Sequence, residues 1–116
     1  MKIYPSKRVK NYAAKKLRNI FDIRGKVVLK HAPNIYHTGD KCFGLCYSDI
    51  TKKGVTIHRI IIAEDINSNM KDYMSTLLHE YVHAWQFESG HEPDHTIESR
   101  WFEWVDFLKE TQGVTI

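Results

Sequence analysis

One helix constrains this chain more than any other feature. Between residues 70 and 90, Met70, Tyr73, Met74, Leu77, Leu78, Tyr81 and Trp85 recur at spacings of three and four, the period of an amphipathic helix. Ser68 or Asn69 can cap its start, Asp72 suits its first turn, and Gly90 is a natural stop. Inside it lies LLHEYVHAWQFESG. His79 and His83 are four apart, so on a helix they share one face about 6 Å apart. One tetrahedral Zn²⁺ can then be reached by both at about 2.0 to 2.1 Å. Glu80 adjoins the first histidine and would lie beside the ion without binding it. That is the place for a general base that takes a proton from water.

The chain has 116 residues, enough for one domain, 1–116, with a core that needs no disulfides. It contains no run of 18 apolar residues, and MKIYPSKRVK lacks an apolar signal-peptide core. A membrane span is therefore not expected, and the cytoplasm is the default compartment. Cys42 and Cys46 are too few for a disulfide framework and, on one strand, would stand about 13 Å apart. They read as small core residues.

Charge divides the chain in two. Residues 1–63 carry 14 Lys and Arg against 3 Asp and Glu, a net of +11, whereas residues 64–116 carry 3 against 11, a net of −8. Lys7, Arg8, Lys15 and Lys16 crowd one expected helix. Such a face is either a solvated surface that balances the acidic half or a contact for a nucleic-acid backbone, independent of base sequence.

In chain order, Pro5 and Ser6 open a helix to about Phe21, with Val9, Tyr12, Ala13, Leu17, Ile20 and Phe21 on one stripe. Residues 26–31, 42–48 and 55–63 read as strands. Residues 33–41 form a loop, and DITKKG a hairpin connection. After the central helix, Pro93 with Asp94 or Thr96 starts a last helix, on which Ile97, Trp101, Trp104, Val105 and Leu108 form an apolar stripe. The expected fold class is α+β: an N-terminal helix, a small three-stranded antiparallel sheet, the motif-bearing helix and a C-terminal helix.

A zinc site open to water usually has three protein ligands, so one more must come from downstream. His91, His95, Glu98 and Glu103 offer themselves. A helix that continues to Gly90 carries the chain about 12 Å past His83, and an extended chain needs about four residues to return. That arrives at His95. His91 would require the helix to end early, and Glu103 stands twenty residues after His83, so both remain open alternatives. His31, His37 and His58 have no partner at ligand spacing and read as structural or surface histidines.

LLHEYVHAWQF followed by EPDHTIE resembles the SprT-like zinc metallopeptidases, whose pattern joins H-E-x-x-H-A on a helix to a later H-G-x-E. GLCYS and IIIAEDI resemble that family's strand region, so the likeness spans roughly residues 40–108. It implies a zincin-like fold, His79, His83 and His95 as zinc ligands and Glu80 as the catalytic glutamate. It also implies a protein substrate, including proteins attached or crosslinked to DNA. Thr96 stands where the family usually has glycine, and Ser99 where it has an aromatic residue. The rival expectation is a non-catalytic module that binds nucleic acid or protein around a structural zinc. His91 and Tyr36 are the residue types that could stabilise an oxyanion.

Overall fold

Within the described residues, the expected helix that ends at Phe21 does form. A π-helical turn, Ala13–Leu17, runs into α1, Arg18–Phe21, and Asp22 closes it in the left-handed conformation. The computed structural model describes residues 11–67 and 69–116. The expected helix start at Pro5 and Ser6, the cations Lys7 and Arg8, and Ser68 lie outside the described residues. Lys15 and Lys16 are exposed on the π-helical turn, the latter 5.9 Å from the centre of the Tyr12 ring.

Among the described residues five strands follow: β1, Lys26–Ala32; β2, Tyr36–His37; β3, Asp40–Lys41; β4, Gly44–Ile50; and β5, Thr56–Ala63. Two long helices complete the chain, α2, Met70–Glu88, and α3, Trp101–Gln112. The class is α+β, as expected.

The sheet is mixed, however, where an antiparallel one was expected. Its order is β1-β5-β4; β4 pairs antiparallel to β5, from Gly44 opposite Ile62 to Ile50 opposite Thr56. β1 pairs parallel to β5, from Lys26 opposite Ile57 to Ala32 opposite Ala63. Two reversals separate β1 from β5. The first lies in residues 33–43, where β2 and β3 form a miniature antiparallel pair, and the second is the expected turn after Ile50. Two reversals restore the original direction, so β5 enters between its neighbours parallel to the first. An apolar run such as Ile60, Ile61 and Ile62 suits that central place, covered on both edges.

α2 packs across β4 and β5. Asn69 caps it: its Oδ1 accepts from the Asp72 N–H at 2.9 Å and its amide donates to the Asp72 carboxylate at 3.0 Å. At the other end His91 N–H reaches the Gln86 carbonyl at 2.8 Å and Gly90 N–H the Phe87 carbonyl at 3.3 Å. This is a Schellman closure, and it needs a residue with φ of +78° at Gly90. The core gathers Leu17 and Phe21, Ile60 and Ile62, Leu77, Leu78, Tyr81 and Val82, and Trp101 and Leu108. Cys46 packs against it; Cys42 does not, and both are free thiols.

α3 starts at Trp101, several residues later than the sequence suggests. Arg100 adopts φ of 63°, which no helix can propagate through, and Ile97 is exposed and so lies off the apolar stripe. His58 is fully buried, between Ser48 Oγ at 2.7 Å and Glu88 Oε2 at 2.5 Å; Glu88 also accepts from the Arg24 and Gly25 N–H groups. This network ties the end of α2 to both long strand neighbours. It accounts for His58 as a structural histidine. No helix among the described residues is long and apolar enough to cross a membrane.

Candidate metal centre

The motif faces the sheet's outer strand. α2 is buried on almost every side, and its polar residues Thr76, His79, Glu80, His83 and Gln86 follow one another at helical spacing on the side turned toward β4 and residues 94–99. β4 reaches this surface closely because it begins with glycine. A Cβ on Gly44 would meet Thr76 Cγ2 at 2.9 Å and Glu80 Cγ at 3.3 Å.

His79, His83 and His95 come together. Their nearest ring nitrogens all lie within 4.8 Å of one another, and His83 Nε2 stands 3.3 Å from His79 Nε2 and 3.3 Å from His95 Nε2. Two nitrogens bound at about 2.0 to 2.1 Å to one tetrahedral ion would be separated by about 3.3 to 3.4 Å. The donor chemistry fits as well. Burial, reinforced by His83 and His95, pushes the His79 pKa down to about 3; burial also lowers that of His83. Neutral imidazoles keep the lone pairs that a metal ligand must offer.

Trp101 forms the wall behind them. Its ring centre lies 4.7 Å from that of His79, 5.3 Å from His83 and 4.3 Å from His95. The apolar stripe of α3 thus serves both the core and the three histidines, a double role that helical spacing alone does not reveal. Glu80 is buried beside this cluster, and burial raises its pKa to about 7.

The return from Gly90 to His95 is built from turns. The last helix was expected to start at Pro93 with Asp94 or Thr96; α3 begins at Trp101, so His95 lies in the irregular segment before it. Instead the Asp94 carboxylate accepts from Thr96 N–H at 3.1 Å and Thr96 Oγ at 2.7 Å. The Ser99 and Thr96 hydroxyls hold the Asp94 pKa below its usual value. A threonine at 96 therefore has a task that a glycine could not perform. Gln86, wholly buried, stands behind His83: its Oε1 is 2.7 Å from His83 Nδ1, and its amide donates to the carbonyls of Asp94 and Ser99.

The other expected donors lie elsewhere. His91 stacks on Trp85 with ring centres 5.5 Å apart, Glu103 pairs with Arg100, and Glu98 is exposed. Tyr36 is 62% exposed on β2 and lines neither cavity beside the histidines. One of these cavities, of about 520 Å³, is lined by residues 42–44, Thr76, His79 and Glu80. The other, of about 580 Å³, is lined by residues 46–48, His83, Phe87 and His91. Comparison with protein-family models, with curated proteins and with solved structures finds no match to any of them.

Proposed function

We propose that this chain is a zinc-dependent endopeptidase with a zincin-like centre, in which His79, His83 and His95 hold the ion and Glu80 is the general base. The observation that carries this reading is the pair of 3.3 Å separations between ring nitrogens, the spacing that a tetrahedral ion demands. When bound, zinc would polarise the scissile carbonyl and bring the pKa of a water toward about 7. Glu80, raised to about 7 by burial, loses its proton more readily with a cation beside it and so becomes competent as a base. It accepts a proton from the attacking water and passes it to the leaving nitrogen, which departs as an amine.

The neighbouring strand supports a polypeptide as the substrate. β4 pairs with β5 on one edge and, among the described residues, has no partner strand on the other. The two cavities flank Leu45, one against residues 42–44 and one against residues 46–48. An extended polypeptide added along β4 would pass both His79 and His83, with backbone groups paired and side chains in the cavities. A structural zinc site has four protein donors. The cluster of described residues has three, and His95 is exposed, which favours a catalytic site over the non-catalytic module.

Glu80→Gln is expected to keep zinc and fold while lowering cleavage of an unfolded protein such as casein by at least about 100-fold. Equal cleavage by both proteins would refute the peptidase reading. The basic half of the chain supports a DNA-attached protein as substrate, with Lys15 and Lys16 exposed. Neutralising Lys7, Arg8, Lys15 and Lys16 together is expected to weaken binding to duplex DNA and to reduce its salt slope by about 0.9 for each phosphate that the variant no longer neutralises. Affinity unchanged at low and high salt would remove DNA from the reading.

A further inference from the structure

Gln86 is a polar side chain with no exposure, and each of its hydrogen-bonding groups has a protein partner. Its Nε2 lies 2.8 Å from the Asp94 carbonyl oxygen and 3.1 Å from the Ser99 carbonyl oxygen. Carbonyl oxygens only accept, so both amide protons must point to them, and the orientation of the amide is fixed by the backbone. Oε1 is then turned to His83 Nδ1 at 2.7 Å, and an amide oxygen only accepts. Nδ1 of neutral His83 must carry the ring proton. Its Nε2 is left with a bare lone pair, facing His79 and His95.

The same amide grips the chain on both sides of His95. Asp94 is the residue before it and Ser99 is four residues after it. We infer that Gln86 is the positioning residue of this centre: through one buried amide it sets the tautomer of His83 and holds the turn that presents His95 against it. This inference rests on the metal-centre reading for its purpose, but its two structural effects are independent of any ion. It also explains why the residues between Gly90 and α3 can be irregular. Two backbone carbonyls that regular structure would have satisfied, those of Asp94 and Ser99, are satisfied by the helix that carries the other two histidines.

The test uses Gln86→Glu and Gln86→Met in the full chain. The carboxylate of the first can still accept from His83 but cannot donate to either carbonyl; the methionine can do neither at similar volume. In chelator-treated protein, amide exchange at residues 94–100 is expected to speed up at least 10-fold in both variants. ¹⁵N spectra of the imidazoles should show His83 as the Nδ1–H tautomer in wild type and in Gln86→Glu, and as a mixture in Gln86→Met. Zinc affinity, measured against a chromophoric chelator, should fall about 10- to 100-fold in both.

Wild-type exchange and an unchanged His83 tautomer in both variants would overturn the inference, whatever their zinc affinity. Loss of loop protection in variants of a wild type that binds no zinc would support Gln86 as the positioning residue and overturn the zinc reading instead. Should neither variant fold, wild-type spectra that place the His83 proton on Nε2 would overturn it alone, and spectra that place it on Nδ1 would support it.

Discussion

Alanine at position 95 is expected to lower zinc affinity by more than 100-fold, whereas alanine at position 91 leaves it within about threefold. The first figure is set by comparison: loss of an outer partner of a ligand costs about 10- to 100-fold, and loss of the ligand itself must cost more. The contrast between the two histidines comes from their places on one short segment. His95 Nε2 stands 3.3 Å from His83 Nε2, while the His91 ring is stacked on Trp85 and is not among the described residues whose donor atoms cluster with those of His79 and His83. His79→Ala and His83→Ala should match His95→Ala, and Glu98→Ala and Glu103→Ala should match His91→Ala. Equilibrium competition with a chromophoric chelator ranks all six. Tight binding by His95→Ala together with weak binding by His91→Ala would move the third donor to position 91.

The central helix was legible in the sequence because several independent signals agreed: capping residues at Ser68 and Asn69, of which Asn69 is the cap, an apolar period, and glycine at the one position with φ of +78°. The β4–β5 pairing was legible for a similar reason, since a short polar connection permits little besides a hairpin. The parallel placement of β1 was not. It depends on how many times the chain reverses between Ala32 and Thr56, and the first reversal, around β2 and β3, contains only two residues on each arm.

The third histidine was reached by chain length, which says how far residues 91–95 can travel but not how they are held. Their hold comes from Gln86, Thr96 and Asp94, whose contacts join residues separated by 2 to 13 positions. A buried glutamine in a helix offers no pattern that distinguishes it from an exposed one. Trp101 is a subtler case. Its spacing correctly places it on the buried side of the helix, and nothing in spacing shows that three imidazoles gather against its ring.

Glu80 offers a prediction about stability that needs no substrate. In the folded, metal-free protein its pKa is raised from 4.5 to about 7 by burial. Between these values the folded chain retains a proton that the unfolded chain has released, so stability is lost as pH rises through this window. His79 acts in the opposite sense. Its pKa falls from 6.5 to about 3, the unfolded chain binds the extra proton, and stability rises with pH between those limits. His83, also lowered by burial, adds to the His79 slope, so between about 4.5 and 6.5 Glu80 opposes both histidines and wild type gains less stability with pH than they alone would give it. Glu80→Gln removes one slope and exposes the other. In chelator-treated protein the variant should unfold at the same urea concentration as wild type near pH 4 and be more stable near pH 8, by on the order of 3 to 4 kcal/mol at about 1.4 kcal/mol per pKa unit. Added zinc should narrow that gap, because a cation next to Glu80 stabilises the carboxylate that only wild type possesses. A gap that does not widen with pH would mean that the carboxyl is solvated, and a gap indifferent to zinc would mean that the ion binds away from it.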